Sequence, residues 1–227
     1  MLVRKSGYSE EESPALSFLP AELVKKRRFR YTGGYEKNAR WKMETFFQID
    51  GNILLWIQEH IRNPILDPVF EGITHLGDGG IFWIILTAVL LCFRKTRKAG
   101  VVSAAALIGS LLVNNVCLKN WVGRVRPYEV VDGLKILIAA PADPSFPSGH
   151  SGASFASAVA IFQCVPRKWG VPLLILAVLI ALSRLYVGVH YPTDVLAGTV
   201  IGILLGILAK RAVEAVIRYR EKKRGTV

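Results

Sequence analysis

With 227 residues, 52% of them apolar, and a mean hydropathy of +0.36, the chain is too apolar for an average soluble domain and too short for several large ones. Its net charge of +12 flanks apolar runs and forms no basic face interleaved with aromatics. That placement argues against a nucleic-acid partner and for attraction to anionic lipid headgroups.

Residues 1–42 hold ten Lys or Arg against five Glu, with only short apolar stretches, so this basic N-terminal arm is expected to be poorly ordered. Nothing in it resembles a cleaved signal peptide. A membrane-embedded domain is expected over 43–218, followed by a basic tail over 219–227. The run FFQIDGNILLWIQEHI at 46–61 mixes apolar residues with Gln, Asp, Glu and His, which predicts a helix lying at the membrane surface, ended by Asn63-Pro64. Asp67, Glu71, His75 and Asp78 recur at helical spacing, forming a stripe on one face. The stripe reads either as a cavity wall for a polar headgroup or as a solvated helix end.

Apolar runs follow at 81–93, 99–118, 151–165, 171–183 and 195–209. The second carries no charge and has the roughly 20 residues a helix needs to cross a bilayer. Backbone groups in lipid must be satisfied internally, so all five runs should be helical. The expected fold class is all-α, a polytopic membrane bundle of five to six transmembrane helices with an N-terminal amphipathic helix. Cys92, Cys117 and Cys164 lie far apart in apolar runs without a C-x-x-C pair, and read as buried packing residues that form neither disulfide nor metal site. The basic clusters at 94–98, 167–168 and 210–224 all fall on one side, cytoplasmic by the positive-inside rule. Residues 125–146 and the loop around His190 then face the extracytoplasmic side. Whether 46–61 also crosses decides the side of the arm.

Three segments bring unusual residues to span ends on that outer side. KNWVGRVRP at 119–127 supplies Lys119, Arg124 and Arg126, with Lys119 and Arg126 two helical turns apart if the helix persists. Alone it also fits a basic cluster reaching for headgroups. FPSGHSGAS at 146–154 opens the next span, where the amides of Ser148, Gly149 and His150 would favour an anion; alone it is a helix cap with a histidine. ALSRLYVGVHYPTD at 181–194 places Ser183 and Arg184 before His190, with Pro192 suited to a first helical position and Asp194 in the first turn of the next helix. Together these segments hold permanent cations that suit phosphoryl oxygens, a histidine that a carboxylate can orient as a nucleophile, and a second histidine able to donate a proton. The reading is a phosphoryl-transfer site.

The same residues resemble the three signature motifs of the type 2 phosphatidic acid phosphatase superfamily: Lys119 with Arg126-Pro127, the Pro-Ser-Gly-His at 147–150, and Ser183-Arg184 with His190 and Asp194. The resemblance implies that His190 attacks phosphorus to give a phosphohistidine, oriented by Asp194, while His150 protonates the leaving oxygen and then helps activate water. Lys119, Arg126, Arg184, Ser148 and the Gly149 amide would bind the phosphoryl oxygens, with no cofactor and no metal required. His60 and His75 match no motif position and are expected to be non-catalytic. Arg124, also outside the signature, reads equally as a ligand for a second phosphate or for headgroups.

By the same resemblance, the partner is a membrane lipid phosphate; the THLGDGG stretch at 74–80 looks similar to bacterial polyprenyl-diphosphate and phospholipid phosphatases, and undecaprenyl diphosphate, a cell-wall lipid, is the first choice. Phosphatidylglycerophosphate, phosphatidate and diacylglycerol diphosphate remain close alternatives. Vanadium haloperoxidases share the motif set but not the hydrophobic spans. The non-enzymatic alternative is an anionic-lipid binding or transport protein, which would need the cations but not the two histidines and Asp194.

Overall fold

The computed structural model describes residues 35–225, with side chains from residue 48. Nine α-helices follow in chain order among the described residues: α1 (Tyr35–His60), α2 (Leu66–Leu76), α3 (Ile81–Cys92), α4 (Arg97–Ser110), α5 (Lys119–Val122), α6 (Pro127–Val130), α7 (Gly149–Phe162), α8 (Arg167–Tyr186) and α9 (Pro192–Arg224). A 3-10 turn at Asp78–Gly80 joins α2 to α3, and a π-helical stretch, Leu111–Leu118, joins α4 to α5. α1 begins at Tyr35, inside the segment expected to be an arm; residues 1–34 lie outside the described residues.

The all-helical fold class agrees with the apolar periodicity. Among the described residues, two segments are long and apolar enough to cross a bilayer, Arg97–Val130 and Arg167–Tyr186. Leu66–Leu76 with Asp78–Cys92, bent by 44°, makes a third if read as one broken span. The break follows from two consecutive left-handed glycines, Gly79 (φ +57°) and Gly80 (φ +70°), a conformation other residues rarely adopt.

α7 is the central helix, packed against α4, α8 and α9. Its sequence GHSGASFASAVAIF explains why: Gly, Ala and Ser let neighbouring backbones approach closely, the packing mode available where lipid removes the hydrophobic drive between helices. On α9, Gly198, Gly202 and Gly206 recur every four residues and face α7. A Cβ on them would meet the Ser148, Gly152 and Ala156 carbonyl oxygens at 2.4, 2.5 and 2.8 Å.

Polar side chains tie the interior together. The Trp83 indole donates to Ser154 Oγ (2.9 Å), while Ser103 hydrogen-bonds Thr87 and Ser157, each at 2.7 Å. The large aliphatics point outward: Ile84, Ile108, Leu111, Ile175, Leu182, Leu196, Leu204 and Leu208 are all exposed. Small and polar inside with aliphatic outside reverses the soluble pattern and suits a lipid surround. The cysteines correct one expectation. Cys92 and Cys117 are exposed and Cys164 half-buried, because in such a bundle an apolar run does not imply burial.

The basic clusters share one end. Lys98 pairs with Glu214 at 2.8 Å, and Lys210 donates to the Gln163 carbonyl at 3.2 Å, which brings the α3–α4 loop, the α7–α8 loop and the distal part of α9 together. Gly202→Ala is expected to lower unfolding free energy in detergent by about 1–3 kcal/mol, since its methyl has no room. Gly72→Ala, with open space around the new methyl, should leave stability unchanged or slightly raised.

Candidate active site

At the opposite end of α7 the three motif segments meet. Lys119 opens α5, which stops after one turn because Gly123 takes a left-handed conformation (φ +58°). Lys119 and Arg126 therefore converge through a turn and not along a persistent helix, and both reach Asp143 in the loop before α7. Lys119 pairs with Asp143 Oδ2, Arg126 Nη2 donates to Oδ1 at 2.7 Å, and Arg126 Nε donates to the Asp143 backbone carbonyl at 2.8 Å. These two cations hold the Asp143 carboxyl down to about 2 against the opposing effect of burial, so it stays ionised at neutral pH.

α8 ends at Tyr186, and Gly188 (φ +82°) turns the chain so that His190 lies in the connection to α9. His190 is 1% exposed and Asp194 fully buried. Arg126 Nη1 donates to the Val189 carbonyl at 2.8 Å and stands 3.4 Å from His190 Nε2. His190 Nδ1 faces Asp194 Oδ2 at 3.6 Å, an ion-pair rather than hydrogen-bond separation, and has no other partner among the described residues. Burial pushes His190 down to about 3 from its usual 6.5; Asp194 opposes this, and Arg184 and Arg126 add to it. The imidazole is therefore neutral at neutral pH, the form a nucleophile requires.

Asp194 itself is fully engaged. It accepts from Arg124 Nη1 (2.6 Å), from the Tyr191 amide (3.0 Å) and from the Ser145 hydroxyl. Arg124 also binds Asp50 Oδ2 at 2.8 Å and Thr193 Oγ1 at 2.7 Å, and its guanidinium lies 3.8 Å from the Tyr191 ring centroid. Arg124 thus pairs with two carboxylates, Asp50 and Asp194.

Ser148 caps α7: its Oγ accepts from the Ser151 amide (3.4 Å) and hydroxyl (3.0 Å), leaving its own proton to donate elsewhere. Its amide is not free, as the sequence suggested, but bonds the Asp194 carbonyl at 3.0 Å. Gly149 abuts the Asn115 side-chain amide, which a Cβ would meet at 3.0 Å. Arg184 is 2% exposed, donates to Thr74 Oγ1 at 2.7 Å, and keeps a buried Nε without a protein partner.

A cavity of about 430 Å³ is lined by Lys119, Gly149 and His150 of the motif residues. Lys119, Asp143, Asn115 and His150 line its polar part, and Ile84, Leu107, Ile108 and Leu111 its apolar part. The expected stripe from Asp67 to Asp78 is divided. Helix α2 stops at Leu76, Asp67 accepts from the Tyr186 hydroxyl at 2.6 Å, and Asp78 leaves the helix to meet His150 Nε2 at 2.9 Å. Sequence reasoning passed over Asp143, Asp50 and Asn115. The Asn114-Asn115 pair inside the longest apolar run was a readable signal, since amides at that depth need partners; the two aspartates carried none.

Residues 99–218 match the family model described as the PAP2 superfamily. The chain belongs to that superfamily. A Sulfolobus acidocaldarius undecaprenyl-diphosphatase is 35% identical over 127 residues, 56% of this chain and 61% of that protein, so the chain spans under two thirds of that relative. Bacillus subtilis phosphatidylglycerophosphatase B is 36% identical over 175 residues, 71% of this chain and 82% of that protein. The crystal structure of a PAP2-type phosphatidylglycerolphosphate phosphatase from Bacillus subtilis superposes with a TM-score of 0.63 at 32% identity, covering 76% of this chain and 88% of that one.

The low proton affinity of buried His190 has a consequence for this PAP2 chain's stability. Between pH 6.5 and about 3 the unfolded chain carries a proton on this residue that the folded chain refuses, so stability falls as pH falls through that window. One such group contributes at most about 1.4 kcal/mol per pH unit. Chemical denaturation in detergent from pH 7 to 4 should show a shallower decline in His190→Asn than in wild type.

Proposed function

We propose that this protein is a metal-independent lipid phosphatase working through a phosphohistidine, with its site at the extracytoplasmic membrane face. The observation that carries the reading is the buried, neutral His190 between a guanidinium 3.4 Å from one ring nitrogen and a carboxylate 3.6 Å from the other. Membership in a family whose relatives include phosphatases supports it.

In this reading, His190 Nε2 attacks phosphorus and the bond to the leaving oxygen breaks, while His150 gives that oxygen its proton. Asp194 orients the ring and offsets its positive charge once phosphorylated. Water then attacks the phosphohistidine, His150 takes up its proton, and inorganic phosphate leaves. Lys119, Arg126, Arg184, the Ser148 hydroxyl and the Gly149 amide hold the phosphoryl oxygens, taking over from the Asp143 carboxylate. Fixed cations thus supply the charge stabilisation of the transition state.

A cavity with the Lys119–Asp143 pair and His150 at one part and aliphatic side chains at another suits a phosphate ester bearing a hydrocarbon chain, once the phosphate replaces Asp143 on Lys119. The substrate of first choice is undecaprenyl diphosphate, with phosphatidylglycerophosphate and phosphatidate as alternatives. The bundle crosses the membrane five or six times, the amphipathic part of α1 lies along its surface, and the basic end is cytoplasmic.

Phosphate release by purified protein should persist in excess EDTA and be inhibited by orthovanadate, while His190→Ala should lose at least about 10³-fold in kcat yet still bind lipid phosphate. Abolition by EDTA with recovery on added Mg²⁺ would overturn the mechanism, and unchanged turnover in His190→Ala the assignment of the nucleophile. On matched micelles of the three lipids, undecaprenyl diphosphate should lead in kcat/KM by more than about tenfold, some 1.4 kcal/mol of transition-state binding.

A further inference from the structure

His150 is held by a turn that no signature motif contains. Asp78 Oδ1 accepts from His150 Nε2 at 2.9 Å, and its second oxygen, Oδ2, accepts from His75 Nδ1 at 2.7 Å. Both oxygens of Asp78 are therefore engaged, the second by the exposed His75. Glycine surrounds the contact. A Cβ on Gly77 would meet His150 Cδ2 at 2.5 Å and Ile180 Cγ2 at 2.8 Å, so only glycine lets the turn lie against the ring. The left-handed Gly79 and Gly80 then reverse the chain into α3 directly after the carboxylate. Gly77, Gly79, Gly80 and His150 all line the cavity that also contains Lys119 and Gly149.

The electrostatics give this contact a purpose. Burial first, and then the positive charges of Arg184 and Lys119, push His150 below its usual range and so oppose a positive charge on its ring, more than Asp78 offsets. A proton donor must nevertheless carry that charge before it acts. The Asp78 carboxylate supplies the opposing negative charge at hydrogen-bond distance and sets the plane of the ring. Because a carboxylate only accepts, it also keeps a proton on Nε2.

We infer that Asp78 is a positioning residue for His150: it accepts the Nε2 proton and sets the ring so that Nδ1 of the imidazolium gives its proton to the departing oxygen of the substrate. The inference rests on the proposed role of His150 as proton donor. Asp78 touches no reacting atom; it acts through the imidazole in the way Asp194 acts through His190. The site thus has two histidine–carboxylate pairs, one for the attacking side and one for the leaving side.

The test compares two phosphate monoesters with hydrocarbon chains of equal length, one an alkyl phosphate and the other a nitrophenyl phosphate carrying the chain on its ring. The alkoxide needs a proton to leave; the nitrophenolate does not. Values of kcat/KM are read, since they report the phosphorylation step alone. Asp78→Asn is expected to lower alkyl phosphate turnover about a hundredfold while leaving the aryl substrate within about threefold of wild type, and Asp78→Glu should recover part of the alkyl rate. A structural role would slow both substrates alike.

His150→Ala, measured on the same pair, separates the two readings. If it slows both substrates equally, the assignment of His150 as proton donor fails, and this inference with it. If it shows the alkyl-selective loss but Asp78→Asn slows both equally or neither, the positioning role alone is overturned. Should Asp78→Asn lose both activities through misfolding, Asp78→Glu decides: a selective alkyl defect supports the role, and loss of both or of neither overturns it.

Discussion

One buried carboxylate joins most of the parts that make this site. Asp194 accepts from Arg124, from Ser145 and from the Tyr191 amide, and its own backbone carbonyl takes the Ser148 amide at the start of α7. Arg124 carries the linkage on to Asp50 in α1. A carboxylate removed from water is costly unless its oxygens are satisfied, and breaking such a pair leaves an uncompensated charge. The geometry that satisfies Asp194 therefore also fixes the entrance of α9, the cap of α7 and the loop before it, and leaves His190 Nδ1 facing Oδ2.

The close packing of α7 against α9 serves the same end. Gly198, Gly202 and Gly206 bring two backbones together directly below the point where Ser148 and Asp194 share a hydrogen bond. A larger residue at Gly198 would meet the Ser148 carbonyl itself, so helix spacing and site geometry are coupled. The aliphatic exterior complements this: many Leu, Ile and Val side chains face outward, while Ser and Ala are prominent among the buried residues beside Trp83, Ile161 and Ile180.

Electrostatically the site separates its histidines by surroundings. His190 is enclosed, with cations near Nε2 and a carboxylate beyond hydrogen-bond range of Nδ1, which keeps it neutral. His150 borders the cavity and has a carboxylate in direct contact. The two histidines thus differ in burial and in their distance to an aspartate.

The sequence by itself determined the helical class, the common end of the basic clusters and the identity of the convergent residues Lys119, Arg126, His150, Arg184, His190 and Asp194. These follow from hydropathy, charge placement and motif spacing, which are local properties. Only the tertiary structure decided which partner each charge takes. Arg124, legible merely as a cation, turned out to belong to Asp194 and Asp50 because the turn at Gly123 points it inward. Asp143, an isolated acid in a proline-rich connection, and Asp78, legible only as the last member of a helical stripe, acquired their cation and histidine partners through loops whose paths no periodicity specifies. Pairing across 24 residues between Lys119 and Asp143, or 72 between Asp78 and His150, is set by where helices pack. That depends on contacts between surfaces far apart in the chain.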